Sequence, residues 1–312
     1  MTLVQLEYII AVDTYRSFVT AAEKCFVTQP TLSMQIQKLE ETLRVKLFDR
    51  SKQPVIPTDI GLQVIEQARA ILAESAKLQE IIAAHKNELA GELKIGVIPT
   101  VAPYLLPKII MSFTEKYPRV QLLIWEYTTE QIINNLKNGL LDCGLLSTPL
   151  EDKSLHEIPL FYEDFVVYTS ESSTLRNKKQ IGAEDINIDE TWILNEGHCM
   201  RNQVLNICQQ KIKGKSLKTF EYNTGSVETL KRMVDLNAGI TILPELSVAD
   251  FTREQMGKVR HFKTPVPARE ISLVTHRHFL KRGIINSLKK EILDIIPAEM
   301  LNSNKKALMD TF

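Results

Sequence analysis

The fold of this chain is decided by the stretch AAEKCFVTQPTLSMQIQKLEETLRVKLFDR, residues 21–50. Thr28 to Thr31 break a helical pattern, and Pro30 stands where the first turn of a new helix accepts proline. The helix that follows carries an apolar face made of Leu32, Ile36, Leu39 and Leu43. Two short helices joined by a tight polar turn predict a helix-turn-helix, whose second helix lies in the DNA major groove.

The opposite face of that second helix is polar. Its hydroxyl, amide and ammonium groups suit base edges and phosphates. They belong to Thr31, Ser33, Gln35, Gln37 and Lys38. The alternative is an ordinary helical pair whose outer face is merely solvated. Residues 1–58 hold seven basic and six acidic side chains, a net charge of +1, so the segment does not indicate a non-specific polyanion binder.

The composition of the whole chain limits the possible classes of protein. It has 312 residues, 38 basic and 38 acidic side chains, and 44% hydrophobic residues, which predicts about two globular domains and excludes disordered or collagen-like chains. No apolar run approaches the roughly 18 residues that span a membrane, and the N-terminus lacks a signal-peptide pattern. We therefore expect a cytoplasmic protein with no membrane partner, whose four cysteines are too few for a disulfide framework.

Residues 59–90 follow the N-terminal domain (1–58) and are predicted to form one long helix. Apolar or small residues recur along it at alternating spacings of four and three, which is a heptad seam. The seam consists of Val64, Ala68, Ile71, Ser75, Leu78 and Ile82. Packing of a single amphipathic helix on its own domain is the alternative. We favour a dimerising linker helix, because the seam separates two regions of different character and is flanked by charged residues.

Beyond Gly91 the pattern alternates between strands and helices. Such alternation predicts an α/β domain with a mainly parallel sheet, which we place at residues 91–300. Strand groups before and after about residue 163 suggest two lobes with a cleft between them. Residues 301–312 are predicted to be a mobile tail.

The stretch 21–50 resembles the winged helix-turn-helix signature of LysR-type transcriptional regulators, and the resemblance extends over essentially the whole chain. It implies an N-terminal all-α winged helix-turn-helix, a long linker helix, and a C-terminal α/β two-lobed domain like that of periplasmic binding proteins. It also implies a homo-oligomer, a tetramer built as a dimer of dimers, with promoter DNA and RNA polymerase as partners. DNA contacts are carried onto Thr31, Ser33, Gln35, Lys38 and, in the wing, Arg50.

The segment GHCMRNQVLNIC, residues 197–208, resembles the redox segment of peroxide-sensing members of that family. The resemblance implies that hydrogen peroxide oxidises Cys199, which then forms a disulfide with Cys208. The local pattern suits this chemistry, because a helix N-terminus and a nearby cation such as Arg201 lower a thiol pKa. Cys208 stands among apolar residues and is expected to be unreactive until exposed. Cys25 and Cys143 are interpreted as small buried hydrophobic residues.

A peroxide site also needs polar groups that hold both oxygens near the sulfur. Thr100 and Thr129 stand at the carboxyl ends of predicted strands, where open α/β sheets bind ligands, although either could simply cap a helix. The resemblance favours Thr100, Thr129 and His198 as peroxide-site residues, with Arg201 and Arg269 as cations near the thiolate.

We expect a peroxide-sensing regulator that is not an enzyme and holds no cofactor. Three alternatives to this interpretation remain. Zinc is disfavoured, because structural zinc sites usually carry closely spaced cysteine pairs. A LysR regulator that binds a small organic effector would have structural cysteines. A thiol peroxidase fused to a DNA-binding domain would turn over continuously.

For the sensor, nine helical residues put the two cysteine Cα atoms about 13 Å apart. This distance is beyond the roughly 4.4 to 6.8 Å of a disulfide, so oxidation must unwind or move the helix.

Overall fold

A computed structural model of the chain describes residues 1–85, 89–195, 197–208, 224–236, 239–277, 281–304 and 306–311. The N-terminal domain begins with three helices around one apolar core, which includes Ile9, Leu32 and Ile36. Thr2 and Ser17 cap the first two helices with their hydroxyls, and proline occupies the first turn of the third. The helices are α1 (Leu3–Tyr15), α2 (Phe18–Lys24) and α3 (Gln29–Leu43).

A two-stranded antiparallel wing follows α3. It pairs β1 (Phe48–Asp49) with β2 (Ile56–Pro57). The buried Glu40 holds the segment between α3 and the wing in place, since its carboxylate accepts the Leu47 backbone N–H at 2.8 Å. The winged helix-turn-helix predicted from the sequence is therefore confirmed.

The predicted seam of the long helix α4 (Asp59–His85) has two halves with different surroundings. Ala68 is buried in the core of the N-terminal domain, and Val64 and Ile71 pack against that core. Leu78 and Ile82, further along, are 64% and 58% exposed. The first half of the seam thus packs on its own domain, as the alternative interpretation held, and only the second half is open to another subunit.

The first lobe of the C-terminal domain is a parallel arrangement, with β3 between β4 and β5. Helices pack over its core, in which Phe113, Ile132 and Leu145 are fully buried. Its elements are β3 (Gly91–Val97), α5 (Ala102–Lys116), β4 (Val120–Glu126), α6 (Thr129–Lys137) and β5 (Cys143–Thr148).

The second lobe has its own apolar core, which contains Phe165, Val204 and Ile242. Its strands are mostly antiparallel to the long β6, which pairs with β9, β10 and β11 in that sense. Among the elements after β5, α10 packs over the core of the first lobe. These elements are β6 (Leu155–Thr169), β7 (Gln180–Ile181), β8 (Thr191–Trp192), α7 (Cys199–Ile207), α8 (Val227–Leu236), β9 (Ile240–Pro244), α9 (Arg253–Met256), β10 (Val259–Phe262), β11 (Val266–His276), α10 (Arg282–Ile295) and β12 (Lys306–Leu308).

Two predictions about this domain need correction. The sheet is mixed instead of mainly parallel, because the long strands β6 and β11 connect the two lobes in opposite directions and pair antiparallel along most of their length. The tail predicted at residues 301–312 is largely ordered: β12 pairs with β11, Lys306 forms an ion pair with Asp164 at 2.7 Å, and Thr311 is buried. Buried apolar contact and a lysine anchor hold the segment in place.

The N-terminal domain also touches the first lobe of the same chain. The backbone carbonyl of Asn138, which caps α6, accepts hydrogen bonds from the Thr14 hydroxyl at 3.0 Å and from the Arg69 guanidinium at 3.3 Å. Arg69 in turn pairs with Asp13 at 2.9 Å, so α1, α4 and α6 meet in one polar contact. Among the described residues, no helix has the length and apolarity needed to cross a membrane.

Candidate functional site

Cys199 is the first residue of α7, and His198 is the N-cap with extended backbone. The Cys199 side chain is only 6% exposed and packs with the core of the first lobe, whereas its neighbour Met200 packs with the core of the second. The start of α7 therefore lies at the junction of the two lobes. Gly197, at φ +88, lies close to Thr128, which caps α6.

Polar groups at this junction are buried without a hydrogen-bond partner among the described residues. They include the Thr129 hydroxyl and the side-chain carbonyl oxygen of Gln203. Gln203 lies one helical turn after Cys199 and so shares its side of α7. Its amide nitrogen donates to the Ser147 hydroxyl at 3.1 Å and to the Met309 carbonyl at 3.2 Å. Buried polar groups without partners are rare in native folds, and such groups mark places where a polar ligand can bind.

Gln203 was not among the residues singled out from the sequence. The available signal was its spacing of four from Cys199, which puts the two side chains on the same side of a helix. A glutamine at that spacing is usually a surface residue, so only the packing of both lobes reveals its burial.

Thr100 and Arg269 form a second polar group, fully buried at the end of β3. The Arg269 guanidinium donates to the Thr100 hydroxyl at 2.8 Å and to the Thr100 carbonyl at 3.1 Å. Its Nε donates to the Glu163 carboxylate at 2.9 Å, and Glu163 also accepts the Leu246 N–H at 2.8 Å. Because the Thr100 oxygen already accepts from Arg269, its hydroxyl proton is free to point elsewhere.

This arrangement changes what Arg269 can do. Its charge is paired with Glu163, a residue absent from the sequence predictions, because β6 and β11 place two distant residues side by side. Arg269 therefore orients Thr100 directly, and its electrostatic effect on a thiolate is largely offset by Glu163. Arg201 donates to the Leu194 carbonyl at 2.9 Å and projects to a different side of α7 from Cys199, so its contact with the thiol stays a prediction.

His198 lines the cleft between the lobes. Burial lowers the pKa of its imidazole, so the ring is neutral near pH 7. Gly225 allows the ring to approach closely, since a Cβ at that position would lie 2.6 Å from His198 Nε2. The cleft has a volume of about 400 Å³ and is lined by Pro99, Pro103, Tyr104, Glu126, Tyr127, Thr128, Gln131, His198, Gly225, Ser226, Val227 and Glu228.

Cys208 caps the C-terminal end of α7 and is buried in the core of the second lobe. Burial raises the pKa of its thiol to about 11, so it is protonated at neutral pH. Both cysteines are free thiols, and the continuous helix puts their Cα atoms about 13 Å apart. Burial likewise raises the pKa of Cys143 and of the partly buried Cys25, which fits the interpretation of both as packing residues.

The surface predicted to bind DNA is formed by α3 and the wing. The structure brings Arg50 and Ser33 together, since the guanidinium donates to the serine hydroxyl at 2.9 Å. Arg50 also lies 4.7 Å above the Phe18 ring and 3.6 Å from the Glu40 carboxylate. Thr31 and Lys38 are exposed, and Gln35 is partly exposed. Thr31, Gln35 and Lys38 therefore lie along one side of α3, whereas Ser33 projects to another side, where Arg50 contacts it.

Comparisons with known proteins agree with this architecture. The family description "Bacterial regulatory helix-turn-helix protein, lysR family" matches residues 3–62, and "LysR substrate binding domain" matches residues 86–290. The chain belongs to the LysR family of bacterial regulators.

Within that family the chain is similar to OxyR proteins. The "Hydrogen peroxide-inducible genes activator" of Pectobacterium carotovorum subsp. carotovorum is 37% identical over 98% of this chain and 100% of its own length. The "DNA-binding transcriptional dual regulator OxyR" of Escherichia coli K12 is 35% identical over 88% of this chain and 89% of its own.

Solved structures give the same result. A full-length OxyR mutant from Pseudomonas aeruginosa has a TM-score of 0.76 and 34% identity, and the match covers 94% of this chain and 98% of that one. A cysteine mutant of OxyR from Corynebacterium glutamicum, bound to hydrogen peroxide, has a TM-score of 0.60 and 27% identity, with coverages of 94% and 92%.

Proposed function

We propose that this chain is a DNA-binding transcriptional regulator that senses hydrogen peroxide by oxidation of Cys199. The observation that carries the proposal is the placement of Cys199 at the lobe junction, where the buried Thr129 hydroxyl and the Gln203 carbonyl oxygen lack hydrogen-bond partners within the described parts of the chain. The similarity to OxyR proteins supports it. Thr100, Thr129 and His198 are the peroxide-site residues predicted from the sequence, and Gln203 joins them.

The chemistry of the first step follows from these groups. The Cys199 thiolate attacks one peroxide oxygen, the O–O bond breaks, and the sulfur gains a hydroxyl group to become a sulfenic acid. The other oxygen leaves as hydroxide and takes up a proton to form water. The Thr100 and Thr129 hydroxyls donate to the peroxide oxygens, and the Gln203 oxygen accepts from a peroxide O–H. These contacts hold the O–O bond near the sulfur and stabilise the leaving oxygen.

The second step joins the two cysteines. The Cys208 sulfur displaces the hydroxyl of the sulfenic acid, which leaves as water when a proton is added, and a disulfide forms. A separation of about 13 Å between Cα atoms must fall to about 4.4 to 6.8 Å, so α7 has to unwind. Unwinding removes Val204 and Ile207 from the second-lobe core and breaks the Gln203 bonds to Ser147 and Met309. The oxidised regulatory domain is therefore a different conformation.

The same proposal covers domains and partners. Residues 1–58 bind promoter DNA, 59–90 link and dimerise, and 91–300 sense peroxide. The exposed Leu78 and Ile82 support self-association through α4, and a tetramer made of two dimers can span two half-sites. RNA polymerase is the partner of the DNA-bound activator, and the cytoplasm is its place of action. The chain is a sensor that reacts about once per oxidation cycle and is not an enzyme.

The decisive experiment combines mass spectrometry of the thiols with DNA footprinting after stoichiometric peroxide. We expect modification first at Cys199, then a Cys199–Cys208 disulfide, together with a changed footprint. Equal modification of all four cysteines would contradict the proposal. Sustained peroxide consumption with a reductant would instead indicate a thiol peroxidase.

A small organic effector is the second candidate ligand, because the cleft of about 400 Å³ is larger than peroxide requires. Tyr104 lines it and donates to Glu228 at 2.7 Å, and these polar groups suit a metabolite. Titration with a metabolite panel against peroxide separates the two: a footprint that responds only to a metabolite, in both the wild type and Cys199→Ser, would favour the effector.

A further inference from the structure

Gln5, the third residue of α1, contacts the recognition helix α3. It is 8% exposed, and its amide nitrogen donates to the side-chain oxygen of Gln35 at 3.3 Å and to the Gln35 backbone carbonyl at 3.4 Å. The contact joins two residues that are 30 positions apart in the chain. It reaches Gln35, one of the two glutamines that the sequence places on the DNA-facing side of α3.

The orientation of the Gln5 amide is set by the backbone. Its oxygen accepts the Thr2 N–H at 3.0 Å, while the Thr2 hydroxyl accepts the Gln5 N–H at 3.2 Å, which completes a capping box. A backbone N–H can only donate, so the Gln5 oxygen must face Thr2. The Gln5 amide nitrogen must then face Gln35.

The same reasoning fixes the orientation of the Gln35 side-chain amide. Its side-chain oxygen faces the Gln5 amide nitrogen, because that nitrogen can only donate. With its oxygen facing Gln5, the NH2 group is the part of this partly exposed side chain that remains for other partners. A glutamine that contacts adenine with both its atoms needs its oxygen free to accept from the base, and here that oxygen is turned toward Gln5.

We propose that Gln5 is a specificity-determining positioning residue: it turns the Gln35 amide so that its NH2 group faces the DNA and donates to a base edge that offers acceptors. Guanine O6 and N7 and thymine O4 are such acceptors in the major groove. This inference rests on the proposed contact between Gln35 and DNA.

The Gln5→Glu variant tests the orientation. Glutamate keeps the capping box, since one carboxylate oxygen accepts the Thr2 N–H. Its other oxygen can only accept, so it loses the hydrogen bond to the Gln35 backbone carbonyl and gains a partner only if the Gln35 amide turns over and donates its NH2 group. Gln35 then presents its oxygen to the DNA, and we expect its preference to move to adenine or cytosine, whose exocyclic amines donate. Gln5→Met, which cannot hold either orientation, should weaken the preference without replacing it.

The measurement is competition binding of the full-length reduced protein to promoter duplexes that carry each of the four bases at every position of a half-site. We expect Gln5→Glu to change the relative preference at one position by at least about fivefold. Val4→Glu is the matched control, because Val4 is exposed on the same helix and the added charge should lower all affinities alike. Circular dichroism melting confirms that the variants are folded.

The outcomes distinguish this inference from the proposed function. If Gln35→Ala alters the preference at a position but Gln5→Glu leaves every preference as in the wild type, Gln5 does not orient Gln35 and the inference is wrong. If Gln35→Ala leaves all preferences unchanged, Gln35 does not read a base, and both the DNA assignment of Gln35 and this inference fall.

Discussion

At the residue scale, the candidate peroxide site depends on polar atoms whose hydrogen bonds are incomplete. The Thr129 hydroxyl and the Gln203 carbonyl oxygen are buried without described partners, and an unsatisfied buried polar group costs about 1 to 3 kcal/mol. A small ligand with both donors and acceptors would remove that cost. Peroxide meets this requirement, and its contacts would strengthen as charge builds on the leaving oxygen.

The first prediction concerns these two groups. Thr129→Val and Gln203→Met each remove a hydrogen-bonding group and keep approximately the same volume. We expect either change to slow the reaction of Cys199 with peroxide by about tenfold or more, the loss seen when one transition-state hydrogen bond is removed. Stopped-flow peroxide kinetics measure this rate. Asn206→Ala, at an exposed position of α7, is the control and should leave it within about twofold of the wild type.

The second prediction concerns Cys208. Because burial raises its thiol pKa to about 11, Cys208 is neutral and shielded in the reduced protein at pH 7. Cys208→Ser should therefore prevent the disulfide but leave the rate of sulfenic acid formation at Cys199 unchanged. Non-reducing peptide mapping with a sulfenic-acid probe measures both. A slower first oxidation in this variant would show that Cys208 acts before α7 unwinds.

At the element scale, the two halves of α4 differ in exposure, which supports the proposal that its second half forms the dimer interface. Ala68 and its neighbours are buried in the domain core, while Leu78 and Ile82 are exposed. Two exposed leucine-sized side chains one turn apart continue the same heptad stripe. The interface with another subunit should therefore begin where the N-terminal domain stops covering the helix.

The third prediction separates these halves. Replacing both Leu78 and Ile82 with Asp should break the dimer while the N-terminal domain stays folded, because a charge in an apolar interface is costly. Ile71→Asp, which the sequence pattern alone would have treated as equivalent, should also lower the melting temperature, since Ile71 packs against the domain core. Light scattering and thermal melting report the two effects. A native oligomer in the double variant would remove α4 from the interface.

The elements also show what sequence could and could not predict. Local signals, such as Pro30 in the first turn of α3, correctly indicated where helices begin. Pairings between distant strands were not predictable: β6 and β11 lie about a hundred residues apart, so neither their antiparallel sense nor the Arg269–Glu163 pair has a local signature. The order of the C-terminal segment was missed for the same reason, since its partners are strand β11 and Asp164.

At the scale of the whole molecule, the C-terminal segment is hydrogen-bonded to α7, the helix proposed to unwind on oxidation. Met309 and Thr311 accept hydrogen bonds from Gln203 and Asn202 of α7, and Lys306 anchors the segment to Asp164. These contacts join α7 to β11, which belongs to both lobes. They are lost if α7 unwinds, so they favour the reduced state over the disulfide.

The fourth prediction follows from this preference. A protein truncated before residue 306 loses β12 and the acceptors for Gln203 and Asn202. We expect its Cys199–Cys208 disulfide to be harder to reduce, with a more negative midpoint potential in glutathione titrations, because only the reduced state loses stabilising contacts. Asp310→Ala changes an exposed residue of the same segment and should leave the potential unchanged. An unaltered potential in the truncated protein would mean that the contacts persist after oxidation.

Helix α6 extends from the candidate peroxide site to the contact with the N-terminal part of the chain. Its first residue, Thr129, belongs to the candidate site, and its C-cap residue Asn138, about 13 Å along the helix, accepts hydrogen bonds from Thr14 of α1 and Arg69 of α4. Asp13, the partner of Arg69, also forms an ion pair with Arg16. The Arg16 backbone carbonyl accepts a hydrogen bond from the N–H of Val55, the residue before strand β2 of the wing. Because a helix is stiff, a small displacement at its first residue moves its last residue as well. Oxidation of Cys199 should therefore alter the hydrogen-exchange rate of the Val55 amide, even in protein that is not bound to DNA.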